Sequence, residues 1–263
     1  MDFVIDLDGT LIDSSKRHYL LMEKLWKELP KEELSNTNIR KAEVSNAETE
    51  STNAETAKTS KTESINAEIS KNESSNQAIS ENGLQFPTAA YMKYKADGKS
   101  GRQFLMDVMK CEEKIVMKIM KQWTEQIELP EMLQYDELYD DSLEFLNHIR
   151  KTENQIIYLT ARQKKELVIQ QLKHLGIFDY ADEVIVVEPS QARQQKTEEV
   201  RRLQSRYAKN PVIIGDTENE YELAKVLGLS VYILNRGFRS REYWQARSVK
   251  SYANLLEILG ELS

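Results

Sequence analysis

Cysteine is nearly absent: Cys111 is the single one among 263 residues. No disulfide can close within the chain, and the opening Met1–Asp6 has neither the basic stretch nor the apolar core of a secretory signal. Both features predict a reducing, cytoplasmic setting. Long hydrophobic runs are missing too. Val-Ile-Val-Val at 184–187 is among the longest, far short of the roughly 20 residues that cross a bilayer, so a soluble chain without a membrane span is expected. Positive charge is in deficit, with 36 Lys and Arg against 43 Asp and Glu for a net charge of −7. A mildly acidic body is a poor electrostatic match for nucleic acid or an anionic membrane.

Residues 35–83 contain no Leu, Phe, Tyr or Trp. Ser, Thr, Asn, Glu, Lys and Ala dominate there, and Asn-Ala-Glu recurs at 46, 53 and 66 with a spacing that fits no structural repeat. Isolated Ala and Ile residues cannot offset the chain entropy of ordering such a segment, which predicts a disordered low-complexity insertion. A frayed charged helix is the alternative. Neither carries chemistry.

The rest of the chain alternates two patterns. Five short apolar runs, at 3–8, 156–161, 183–188, 211–216 and 230–235, have the β-branched content of strands buried on both faces of a parallel sheet. Between them Val168, Leu172 and Leu175 are spaced as one helical face ending at Gly176, and Val200, Leu203 and Tyr207 repeat the pattern. Tyr252, Leu255, Leu256 and Leu259 predict one more helix. Strands alternating with single helices define an α/β sheet of about five core strands. The interval between the first two strands is too long for one crossover helix. Leu21, Met22, Leu25, Trp26 and Leu29 predict a helix near 15–29, and Val116, Ile119, Met120 and Trp123 one near 103–126. The expected organisation is a core from 1–13 and 136–263, with a helical cap at 14–135 that contains the 35–83 tract.

Chemistry gathers at the strand ends, where ligands bind in sheets of this kind. Asp6-Leu7-Asp8-Gly9-Thr10-Leu11 places two carboxylates two residues apart where the first strand stops, and Gly9 lets the chain turn away. Such a pair repels itself unless a cation or a shared proton intervenes. With oxygen ligands alone the natural cation is Mg²⁺. The second strand ends in Thr160-Ala161-Arg162, where a hydroxyl, a backbone N–H and a guanidinium could hold phosphate oxygens. The fourth ends in Gly215-Asp216-Thr217, with Glu220 on the next helix. Asp, Thr and Asp ending three strands in that order is an uncommon combination.

With these motifs the chain resembles the haloacid dehalogenase-like superfamily, the aspartate-nucleophile phosphohydrolases. The resemblance implies a Rossmann-like sheet with a helical cap inserted after the first motif, and reaction through an aspartyl-phosphate on a small phosphorylated substrate. It implies Asp6 as nucleophile, Asp8 as general acid and base, Thr160 as a phosphate-binding hydroxyl, and Mg²⁺ held by Asp6, Asp216 and the main-chain carbonyl of Asp8. Two positions depart from the pattern. The lysine that many capped members carry before a Pro is replaced by Glu188 before Pro189, so Lys196 is the candidate for that charge. Glu220 stands where a second Asp is commoner and is expected to reach a metal-bound water or pair with Lys196. A phosphomutase and a catalytically silent phosphate sensor are the alternatives. Among other residues, His18 near the cap entry could meet substrate, Asp13 and Arg17 could line the mouth of the site, and 236–241 could lie at its edge, while Cys111, His148 and His174 form no site.

Overall fold

The computed structural model describes residues 2–30, 85–151, 154–206 and 211–262. The 35–83 tract and Tyr207 lie outside the described residues. The chain opens with β1 (Phe3–Ile5) and β2 (Ile12–Asp13), then runs through helices α1 (Ser15–Lys27), α2 (Thr88–Ala96), α3 (Gly101–Asp107), α4 (Glu113–Gln126) and α5 (Pro130–Leu133). It continues as β3 (Glu137–Leu138), α6 (Ser142–Arg150), β4 (Ile156–Ala161), α7 (Lys165–His174), β5 (Glu183–Val187) and α8 (Ala192–Arg206). The remainder is β6 (Val212–Gly215), α9 (Glu218–Leu227), β7 (Val231–Leu234), α10 (Arg241–Gln245), β8 (Ser251–Tyr252) and α11 (Leu255–Leu262).

Six strands form one parallel sheet in the order β5-β4-β1-β6-β7-β8. Successive strand residues point to opposite faces, and the two faces have separate cores. Val4 packs with Ile157, Leu159 and Ile213 against Val200 and Leu203 of α8 and Leu223 of α9. Phe3 and Ile5 pack with Tyr158 and Ile214 against Phe145 of α6, Val168 and Leu172 of α7, and Ile258 of α11. The same alternation, carried one step past β1, sends Asp6 toward the face covered by α8 and α9. Leu7 joins the opposite core.

The sixth strand corrects the expected five. Ser251 and Tyr252 pair with Ile233 and Leu234, so Tyr252 belongs to a strand and not to the last helix. Leu256, assigned to that helix's apolar face, is 38% exposed, whereas Leu255 and Ile258 are buried. β1 and β6 are also shorter than their apolar runs, because Asp6, Asp8 and Asp216 lie past the ladder at the site, whereas β4 spans its whole run.

The helical layer enters and leaves through a two-stranded antiparallel ribbon, Ile12 opposite Leu138 and Asp13 opposite Glu137. It has its own core: Leu21, Met22, Leu25 and Trp26 of α1 meet Phe104, Val116 and Ile119. Leu21, Met22 and Leu25 are fully buried, each contributing about 2 kcal/mol of apolar burial. The helix expected over 103–126 is instead two, α3 and α4. Lys110 between them has φ +51°, a left-handed conformation that ends a helix. Among the described residues no helix is long and apolar enough to cross a membrane.

Candidate active site

The ends of β1, β4 and β6 open into a cavity of about 520 Å³ that also reaches the helical layer. Asp6 lies just beyond β1, its N–H donating to the Ile214 carbonyl at 2.9 Å. The chain then turns: the Leu11 and Ile12 amides both donate to the Leu7 carbonyl at 2.9 Å, and Gly9 adopts φ +76°. Gly9 also has no room for a side chain, since a Cβ there would come within 2.3 Å of Asp216 Oδ2. A Cβ on Gly237 would come within 2.1 Å of the same oxygen. The two glycines let backbone close around one carboxylate.

Two charge clusters result. In the first, Lys196 Nζ reaches from α8 to Asp6 Oδ1 at 3.0 Å and Glu220 Oε1 at 2.6 Å, and all three groups are buried. Asp216 completes it, taking the Phe238 N–H on Oδ2 at 2.9 Å. Burial, reinforced by Glu220 and Asp8 and opposed by Lys196, lifts the Asp6 carboxyl to about 7. Burial and the Asp6 charge push Asp216 well above the carboxylate range, while the facing carboxylates outweigh burial and raise Lys196. Glu220 also caps its helix, its Oε2 accepting from the Thr217 hydroxyl at 2.6 Å and the Thr217 N–H at 3.3 Å. The longer side chain therefore joins a Thr-x-x-Glu capping box to an ion pair, which accounts for Glu where Asp was expected.

The second cluster surrounds Asp8. Arg162 donates to both Asp8 oxygens, Nε to Oδ2 and Nη2 to Oδ1, each at 2.6 Å. Arg17 Nη2 adds a third bond at 2.7 Å, and Arg17 Nε lies 3.0 Å from Asp136 Oδ1. Burial would raise Asp8, but the two guanidiniums prevail and hold it at about 2. Burial lifts Asp136 to about 6 despite Arg17.

The expected site residues therefore converge, with changed partners. Thr160 is buried at the end of β4 and lines the cavity with Ala161. Arg162 binds Asp8, so the guanidinium expected to hold phosphate faces the acid–base candidate. Among the described residues, the three carboxylates close enough to share an ion are Asp6, Asp216 and Glu220, within 4.8 Å of one another. The Asp8 side chain is turned to the arginines instead. Glu188 is exposed on the cavity rim, and Lys196 occupies the interior position. Asp13 caps the Ser15 amide and does not line the cavity. Arg236 and Arg239 pair with Asp141 and Glu218, leaving Phe238 as the contribution of 236–241 to the lining. Cys111 is buried. Asp136 and Glu128 escaped the sequence reading. Glu128 accepts from the Gln163 and Lys164 amides at 2.9 and 3.2 Å, fastening the end of α4 to the loop after β4.

The donor set fits a divalent metal. Three buried carboxylates around one ammonium leave two negative charges uncompensated, and the oxygens suit a hard cation. Asp216 Oδ1 is buried without a hydrogen-bond partner.

This fold and these strand ends define a hydrolase of the haloacid dehalogenase-like class. The chain belongs to that family, whose sequence pattern matches residues 3–228. Solved structures share the fold over the whole chain. One named "Putative Phosphatase from Clostridium difficile" superposes with a TM-score of 0.65 at 13% identity, covering 100% of both chains. A "predicted phosphoglycolate phosphatase" from Haemophilus somnus gives 0.61 at 16% identity, covering 100% of this chain and 97% of the other. A "putative beta-phosphoglucomutase" from Thermotoga maritima gives 0.55 at 13% identity, covering 100% of both. No curated protein matches the chain.

Proposed function

We propose that the protein is a Mg²⁺-dependent phosphomonoester hydrolase that acts on a small phosphorylated metabolite through a phosphorylated Asp6. Residues 1–13 and 136–263 form the catalytic body in this reading, and 14–135 the cap. The carrying observation is the buried Lys196 bridging Asp6 and Glu220 beside Asp216. Asp6, Asp216 and the Asp8 main-chain carbonyl would hold Mg²⁺, which when bound supplies positive charge against the phosphoryl oxygens.

Lys196 fixes the rotation of the Asp6 carboxylate through Oδ1 and leaves Oδ2 to attack phosphorus. The new O–P bond forms as the ester O–P bond breaks, and the departing alkoxide takes a proton from Asp8. In the second displacement Asp8, as carboxylate, accepts a proton from water, which attacks phosphorus and restores Asp6 as inorganic phosphate leaves. The two guanidiniums keep Asp8 ionised in the free protein, and the proton it takes from water in one cycle is the one it gives the alkoxide in the next. The acid step needs one guanidinium drawn away, and a dianionic phosphate beside Thr160 competes for Arg162.

The test is phosphate release from p-nitrophenyl phosphate with and without Mg²⁺, in the natural protein and in Asp6→Asn. Metal-dependent release that falls at least roughly a thousand-fold in the variant is expected. The proposal fails if no phosphate is released and neither Mg²⁺ nor BeF₃⁻ binds.

A further inference from the structure

The cavity has two unlike halves. Its sheet side is charged, while beside Arg17 and Glu128 its other side carries an aromatic wall of Trp123, His18 and Phe238 with Ile127 next to them. The His18 ring centroid lies 5.3 Å from that of Trp123 and 4.5 Å from that of Phe238. Three rings from α1, α4 and the loop after β7 thus make one continuous surface. Burial, with the nearby charges of Lys95, Arg17 and Arg162, holds the His18 pKa far below its ordinary value, so this ring stays uncharged. The Trp123 indole N–H is buried with no hydrogen-bond partner, so the ring meets the cavity through its carbon surface.

The cations are the second observation. Among the described residues, three line the cavity: Lys196 pairs with Asp6 and Glu220, Arg162 with Asp8, and Arg17 with Asp8 and Asp136. A substrate phosphate competes for this set, and among the lining residues no unpaired cation remains for a second anionic group; Lys95, outside the lining, is engaged with His18 Nδ1 at 2.9 Å. Glu128 and Glu188 instead add negative charge to the lining. A volume of about 520 Å³ holds a phosphate with a ring system attached.

Resting on the phosphatase reading, we infer that the preferred substrate is a phosphate ester whose alcohol carries an uncharged aromatic or heteroaromatic ring stacked on Trp123. Flat rings gain over saturated ones of equal size by offset and edge contacts with the wall.

The experiment compares benzyl phosphate, cyclohexylmethyl phosphate and phosphoglycolate as substrates. It also measures binding of the non-hydrolysable benzyl and cyclohexylmethyl phosphonates by calorimetry in the presence of Mg²⁺. The benzyl compounds are expected to be favoured about five-fold in kcat/KM and in affinity, with phosphoglycolate the poorest substrate. Trp123→Leu brings the benzyl-to-cyclohexylmethyl ratio close to one, chiefly through KM. Equal affinity of the natural protein for the two phosphonates overturns the inference, as does phosphoglycolate being the best substrate. The phosphonate ratio needs no variant, so it decides the matter even where Trp123→Leu does not fold. If the phosphonates are discriminated but no ester is hydrolysed, the aromatic subsite stands and the hydrolase reading falls. If neither phosphonate binds, the aromatic subsite falls, and phosphate release from p-nitrophenyl phosphate decides the hydrolase reading separately.

Discussion

Asp6 and Asp8 are two residues apart and belong to two charge clusters with opposite balances. Around Asp6, three carboxylates share one ammonium. Around Asp8, two guanidiniums face two carboxylates, Asp8 and Asp136. The first cluster is left short of positive charge and its carboxyls rise, while the second compensates itself and Asp8 is held low. A divalent cation suits the first. The second is balanced without one, and its guanidiniums hold the Asp8 side chain away from the Asp6 cluster.

Removing the single ammonium breaks the first cluster most severely. Lys196→Met leaves three buried carboxylates unopposed, and a loss of about 3–5 kcal/mol in urea denaturation is expected, together with loss of turnover. An unchanged unfolding midpoint would show that Lys196 is not the counter-charge described. Mg²⁺ separates the clusters next. At a hundred times its dissociation constant it stabilises the natural protein by about 2.7 kcal/mol. That gain disappears in Asp216→Asn and persists in Asp136→Asn, and equal responses in a thermal melt would erase the distinction. Arg162→Gln is the milder change. It removes the bidentate partner of Asp8, and kcat/KM is expected to drop roughly ten- to a hundred-fold, at the scale of one charge-assisted pair. Turnover equal to the natural protein's would exclude the competition between substrate phosphate and Asp8 for Arg162.

A separate effect, confined to alkaline pH, concerns a cation outside both clusters. Lys95 lies 2.9 Å from His18 Nδ1 and 4.0 Å from the centre of the Phe238 ring. Burial, helped by Arg239 and Arg17, lowers it to about 7. Between that value and the unfolded pKa of roughly 10.4, the unfolded chain binds the extra proton, so stability rises with pH across the interval. Lys95→Met flattens that rise, and stability curves between pH 7 and 10 measure it. Identical slopes in the two proteins would contradict the shift.

Where apolar runs and polar strand ends coincide, the sequence was readable. Asp6, Thr160 and Asp216 sit at β1, β4 and β6 because each follows a run that only a buried strand satisfies, and Lys196 was named through the family resemblance, once Glu188 stood in the usual lysine position. The short sixth strand was not. Ser251 and Tyr252 offer no run, and their pairing comes from the neighbouring edge of β7. The break between α3 and α4 was hidden for a similar reason: Lys110, without Gly or Pro beside it, is the left-handed residue. The pairing of Arg162 with Asp8 was not legible either. A guanidinium has no local preference between a phosphate and a carboxylate, and only the fold brings Asp8 within 2.6 Å. Asp136 and Glu128 gave no sign at all, as each becomes meaningful through residues far along the chain.

The place of β1 inside the sheet also bears on how the protein is made. Its partners, beginning at Ile156 and Val212, lie more than 150 and 200 residues downstream. At a synthesis rate of about 5–20 residues per second, the segment carrying Asp6 waits many seconds on the ribosome for both neighbours. By then every residue of the helical layer has already emerged. A nascent chain therefore holds His18 and Trp123 of that layer before Asp6 is seated between its two neighbouring strands, and the cavity is complete only once Phe238 has followed β6.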